Sequence, residues 1–166
     1  GRHREGAVGR LQADGVDQPL APHLVGRVGL GRGGLLVRAD RELAEQQSCV
    51  DFALWGGLVP GNLDKLAGLR DAGAIGLKAF MSNSGIDSFP RVDAKSLHEG
   101  MRRAAKLGLL VAVHAEDDTL AAKFTAEQKA KGKKDAQAWL ASRPVEVELA
   151  ALRQASEFAG ETGCAL

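Results

Sequence analysis

Ala74-Ile75-Gly76-Leu77-Lys78-Ala79-Phe80-Met81 is an apolar run broken by one charge. A short apolar run between a glycine and a polar loop reads as a strand covered on both faces. A lysine inside such a strand is costly unless something holds its amine. One strand-helix unit later, Leu109-Leu110-Val111-Ala112-Val113-His114 repeats the pattern and ends in histidine. Cys49-Val50-Asp51-Phe52-Ala53-Leu54-Trp55 reads as an earlier strand, closed by Gly56-Gly57.

Helical signals lie between and beyond these runs. Pro60-Gly61-Asn62 opens a helix with Asn62 as its N-cap, and Leu63, Leu66 and Leu69 share one face before Gly73 stops it. Asp93 caps the next helix, with Leu97, Met101, Ala104 and Ala105 inward and Gly108 closing it. Helices are also predicted from Asp118 to about Lys131, from Asp135 to Ala141, and from Pro144 to Gly160. Gly163-Cys164-Ala165-Leu166 reads as a further strand beginning.

This alternation predicts an α/β fold of parallel strands joined by right-handed helical crossovers. An open doubly wound sheet and a closed eight-fold barrel both satisfy it. The chain holds about three to four strand-helix units, and such a piece leaves a bare sheet edge at each end, an aggregation liability. It is therefore expected to be part of a larger unit.

Bulk properties narrow the function classes. A chain of 166 residues fits one domain, able to bury about 70% of its unfolded surface. Its 22 Lys+Arg against 21 Asp+Glu leave no basic excess for nucleic acid or an anionic membrane. No apolar run reaches the roughly 18 residues of a membrane span, and no apolar stretch follows Gly1-Arg2-His3-Arg4 as a secretory signal requires. A cytoplasmic location is expected, with Cys49 and Cys164 as small buried thiols in a reducing compartment.

Composition changes near residue 40. Before it every cation is arginine, glycine is dense and no aromatic residue occurs, which divides the chain into an irregular Gly/Arg-rich segment, 1-40, and a folded region, 41-166. A flexible arm, an Arg-rich nucleic-acid arm diluted by Glu5, Asp14 and Asp17, and a stretch read in the wrong frame of a GC-rich gene all fit residues 1-40. Gly29, Gly31 and Gly34 spell the dinucleotide fingerprint, but without a clear strand before or helix after it the match reads as chance.

Parallel α/β folds gather their sites at the C-terminal ends of strands. Lys78 comes late in its strand and His114 ends its own, so both are expected to face one pocket, although a snorkelling lysine and a hydrogen-bonded core histidine are the plain alternatives. Neutral imidazole suits divalent zinc, cobalt or manganese. Lysine becomes a bridging oxygen ligand only once carbon dioxide converts it to a carbamate. Two ions bridged in that way would activate hydroxide and polarise a carbonyl. Glu116 and Asp117 either orient His114 or serve as acids in a helix's first turn.

From about Val50 onward the chain resembles the cyclic amidohydrolases, and within them the allantoinases. The likeness rests on Asp51-Phe52-Ala53-Leu54-Trp55-Gly56-Gly57-Leu58-Val59-Pro60-Gly61-Asn62, Gly76-Leu77-Lys78-Ala79-Phe80-Met81, Ser84-Gly85-Ile86-Asp87 with Phe89-Pro90, Val113-His114-Ala115-Glu116, and Ser142-Arg143-Pro144 with Glu148. The resemblance implies a partial (β/α)8 TIM-type barrel and two divalent metal ions, expected to be zinc with cobalt or manganese possible. It implies that carboxylated Lys78 bridges the ions, that His114 ligates one, and that Ser82, Ser84 and Gly85 line a pocket for a small cyclic ureide. The implied reaction converts allantoin to allantoate in a homotetrameric parent. Dihydroorotase or hydantoinase chemistry and a non-catalytic structural role are the competing expectations.

The departures are specific. His3, His23, His98 and His114 include no His-x-His pair, which the family carries on its first strand, and no aspartate is assigned as the base. The missing pair belongs where the Gly/Arg-rich segment stands, which favours the wrong-frame reading of that segment. His98 lies on a helix and is expected to face solvent. The chain is expected to be a fragment with little or no activity alone.

Overall fold

The computed structural model describes residues 34–166. The first element is a helix, α1 (Gly34–Gln47), and short strand β1 (Leu54–Gly57) follows. A 3-10 turn, Leu63–Lys65, runs into α2 (Leu66–Asp71), and the lysine run forms β2 (Ala74–Phe80). Then come α3 (Ala94–Leu107), β3 (Leu110–His114), α4 (Asp118–Ala130), α5 (Ala136–Ala141) and α6 (Val145–Thr162). The three strands form one parallel sheet in the order β1-β2-β3.

Strand alternation divides the side chains between two faces. On one face Leu77, Ala79 and Val111 are fully buried, in a single apolar cluster with Val37 of α1, Leu66 and Leu69 of α2, Leu97, Met101 and Ala104 of α3, and Ala151 and Ala155 of α6. These four helices therefore cover that face. The opposite face carries Trp55, Lys78, Phe80, Ala112 and His114, all half-buried or exposed. The register slips between Leu54 and Trp55, so Ile75 has no opposite partner on β1 and stands 50% exposed. This bulge precedes the lysine and leaves the rest of β2 in regular alternation.

Several sequence expectations hold in detail. Asp93 caps α3 by accepting from the Ser96 N–H at 2.8 Å, and Gly108 closes that helix at φ 67°. Asp117 and Asp135 cap α4 and α5 in the same manner. Pro144 precedes α6, which runs past the expected end at Gly160 to Thr162 and is capped by Gly163 in the left-handed region at φ 69°.

Others are corrected. Residues 34–40, expected to be irregular, belong to α1, and Val37 is in the core because an apolar face is available against β1 and α2. A helix thus begins at Gly34; the strand the glycine fingerprint would need lies outside the described residues. The first strand is shorter than Cys49–Trp55 and includes the glycines expected to close it. Gly56 is required there by close approach, since a Cβ would stand 2.9 Å from Leu69 and 3.0 Å from Leu77. Asn62 makes no N-cap bond. Its buried amide donates to the Gly57 carbonyl at 2.8 Å and accepts from the Val59 N–H at 3.1 Å, which fastens the loop leaving β1. Cys49 is exposed, whereas Cys164 is buried and burial pushes its thiol up. Residues 163–166 form no assigned strand, but the Ala165 carbonyl accepts from the Val111 N–H at 2.9 Å along β3. His98 is half-buried, edge-on to Phe158 and 2.8 Å from Glu161, so it ties α3 to α6.

Two stability changes follow. A Cβ on Gly100 would fall 2.5 Å from buried Leu58, so Gly100→Val is expected to lower unfolding free energy by about 2 kcal/mol, read from urea melts at unchanged slope. Asp93→Ala is expected to cost about 1 kcal/mol at pH 7. The Ser96 N–H holds the Asp93 carboxyl below its ordinary pKa, so that contribution is present above about pH 4 and fades as pH falls. Melts repeated down the pH scale should show the two proteins converging.

Candidate functional site

Register determines which side chains meet on the open face. Lys78 stands opposite Ala112, and Phe80 opposite His114. Lys78, Phe80 and His114 therefore share one face at the C-terminal ends of adjacent strands. The Lys78 amine lies 5.2 Å from the Phe80 ring centre, and the His114 ring lies 5.3 Å from that ring at a tilt of 36°. Among the described residues no carboxylate pairs with Lys78, and burial lowers its pKa from the ordinary lysine value. The amine thus loses its proton more readily than an exposed one.

The ladder continues past the strand ends. The His114 carbonyl accepts from both Met81 N–H and Glu116 N–H, at 3.2 Å each, so the chain turns sharply after the histidine. Three acids follow, and each has its own contacts. Glu116 accepts from the Ser82 hydroxyl at 3.2 Å, stands 3.7 Å from His114 Nε2 and lies 3.6 Å from Arg143 Nε. Asp117 accepts from the Leu120 N–H at 2.8 Å as the α4 cap. Asp118 accepts from the Asn83 N–H at 3.0 Å and pairs with Arg91 Nε at 3.0 Å. The alternatives for the acids divide between residues: Asp117 serves the helix, while Glu116 is within ion-pair reach of His114.

The loop after β2 was expected to supply Ser82, Ser84 and Gly85. The structure brings Ser82 to Glu116, with its side chain buried. Ser84 turns inward to its own loop, donating to the Phe89 carbonyl at 2.6 Å and accepting from the Ile86 N–H. Gly85 takes φ 71° and donates to the Asn83 side chain at 2.9 Å. Ser82 and Gly85 line an open cleft of about 810 Å³ between this loop and α4, together with Asn83, Arg91, Asp118 and Arg143.

Arg143 went unassigned at the sequence level although its Ser-Arg-Pro motif was noticed. It is half-buried, 4.9 Å from the Trp139 ring, 2.6 Å from the Ser142 hydroxyl and 3.4 Å from Thr125. Asp118 and Arg91 were also missed. Glu116-Asp117-Asp118, one residue past strand-end His114, are more acids than one helix start needs, a hint at Asp118 but not at Arg91 or Arg143.

Known proteins share this arrangement of chain. An allantoinase from Solibacter usitatus is 50% identical over 126 residues, 76% of this chain and 28% of the relative. An allantoinase from Deinococcus radiodurans is 51% identical over 124 residues, 75% of this chain and 28% of the relative. The solved L-hydantoinase of Arthrobacter aurescens superposes with a TM-score of 0.77 at 37% identity, covering 80% of this chain and 29% of that structure. Over that stretch the chain is similar to allantoinases in sequence and to L-hydantoinase in backbone. It spans under a third of the length of the curated relatives it matches. No protein-family model matches the chain.

Lys78 and His114 share one sheet face at adjacent strand ends. Among the described residues no three His, Cys, Asp or Glu side chains form a metal-holding group. No described helix is long and apolar enough to cross a membrane.

Because burial disfavours the Lys78 cation, the unfolded chain binds its proton more tightly than the folded one. Stability should therefore rise as the pH climbs from the folded to the unfolded lysine pKa. Lys78→Met is expected to melt no lower than the parent at pH 7, with the parent gaining relative to it toward pH 10. Thermal melts of both proteins between pH 7 and 10 check the sign.

Proposed function

We propose that residues 41-166 supply part of the barrel and metal centre of an allantoinase-type amidohydrolase, whose substrate is the ring amide of a small cyclic ureide. The observation that carries this reading is the placement of Lys78 and His114 on one sheet face at adjacent strand ends. A wrong-frame origin is proposed only for the residues before α1, since residues 34–40 are helical and Val37 packs in the core. A cytoplasmic homotetramer is the expected form of the parent.

Each residue has a task. Lowered by burial, Lys78 presents more neutral amine, which attacks carbon dioxide and releases one proton to solvent to give the carbamate. That carbamate and the His114 imidazole would hold two divalent ions, expected to be zinc, with cobalt or manganese as substitutes. When bound, such ions supply Lewis acidity toward the ring carbonyl and acidify water. Glu116 orients His114 from one carboxylate oxygen and anchors Ser82 from the other. Ser82, Ser84 and Gly85 shape the pocket against the ureide ring, Ser84 by holding the loop's backbone turn.

A hydantoinase-type substrate is the second reading, favoured by the backbone likeness to L-hydantoinase. The chain by itself carries no His-x-His pair, so little or no turnover of allantoin is expected from it alone.

A segment exchange tests the proposal. Residues 41-166 would replace the matching stretch of the Deinococcus radiodurans allantoinase, and the product would be assayed for metal content, allantoin and hydantoin hydrolysis. Full metal occupancy with allantoin turnover is expected, and Lys78→Ala should cost about 10–100-fold or more in metal affinity. Preference for hydantoin would install the second reading. A folded, metal-loaded exchange protein indifferent to Lys78→Ala would remove the bridging role.

A further inference from the structure

The loop Ser82–Arg91 returns to the sheet as it began: the Met81 N–H donates to the His114 carbonyl, and the Val92 N–H to the Phe80 carbonyl. Between those two points it crosses the open cleft and presents Asn83, Gly85, Ile86 and Asp87 to it. Asn83, Gly85, Ile86 and Asp87 are exposed. Such a loop keeps its place only if its stems are fixed to something rigid.

Asp118 meets both stems at once. One carboxylate oxygen accepts from the Asn83 N–H at 3.0 Å, at the loop's start. The other lies 3.0 Å from Arg91 Nε, at its end. The carboxylate is on the first turn of α4, which Asp117 caps two residues before Thr119 and whose preceding backbone is fixed by the Asp117 N–H donating to the Val147 carbonyl at 3.0 Å. Both contacts are charge-assisted but partly exposed, so each alone is modest and the hold on the loop rests on having both.

We propose that Asp118 is a positioning residue that latches both stems of the Ser82–Arg91 loop to α4. With the latch made, the loop's turn is held beside the Ser82–Glu116–His114 contacts. With it broken, both stems separate from the helix and the cleft widens at the loop side. The link to substrate rests on the function proposed above. The latch itself does not, because it requires neither metal nor substrate.

Residue-resolved amide hydrogen exchange on the full chain tests it, with Asp118→Ala, Asp118→Asn and Arg91→Met compared with the parent. In Asp118→Ala, the amides of Asn83, Gly85, Ile86 and Phe89 should exchange about tenfold faster, and β2 and β3 should be unchanged. Asn keeps an acceptor oxygen for the Asn83 N–H but loses the ion pair. Asp118→Asn should therefore restore protection at Asn83 and leave Phe89 fast, and Arg91→Met should match that pattern. Loop exchange unchanged in Asp118→Ala, or faster exchange spread evenly through α4 and β3, would overturn the latch. Failure of the segment exchange to hydrolyse a ureide would leave these exchange results intact, so the two proposals fail separately.

Discussion

β2 is paired on both edges, and that constraint sets the rest of the site. A strand held from both sides offers its side chains only two directions. Leu77 and Ala79 take the helix side and vanish into the core, which leaves Lys78 and Phe80 no choice but the open face. The neighbouring register then brings His114 opposite Phe80. Moving the pairing by one residue would send the lysine into the apolar layer beneath α2 and α3, a far greater cost than the partial burial it has now.

The open face is organised by contacts distant in sequence. Glu116 and Ser82 are 34 positions apart, and Asp118 and Asn83 are 35 apart, yet both pairs lie at adjacent strand ends. Parallel pairing makes this possible: β2 and β3 end on the same edge, so the segments leaving them run side by side. Three consecutive acids then point to three different partners. Glu116 reaches the buried Ser82, Asp117 caps the start of its own helix, and Asp118 meets the loop after β2.

Local periodicity and cap chemistry made β2, β3, α3 and α6 readable from the chain alone, because burial there repeats over three to four turns or alternates along one strand. The same signals failed where a residue's partner is not local in pattern. Asn62 looks like a cap beside Pro60 and Gly61, but its amide serves the backbone of Gly57 and Val59. Gly56 and Gly57 look like a terminator, but both lie within β1, and at Gly56 a Cβ would crowd the Leu69 and Leu77 side chains. Lys78 and His114 could be proposed together from strand-end position. Arg143 could not, since its contacts depend on how the turn between α5 and α6 meets the segment after β3, and spacing carries no trace of that.

Why a lysine should persist in the central strand is an energetic question with few answers. A structural lysine would normally find a carboxylate or extend to water. Among the described residues Lys78 has the Phe80 ring and no acid, and its cation is disfavoured by burial. An aromatic face returns about 0.5–1 kcal/mol at a partly exposed site, too little to explain choosing a charge over leucine. Under the function proposed above, a local conflict of this kind is what a position kept for chemistry carries. Conversion to a carbamate would resolve it: the group would become an anion able to accept two cations, and the environment that now penalises an ammonium would surround a neutralised centre. The exposed imidazole of His114 on the same face is what such a centre would need next.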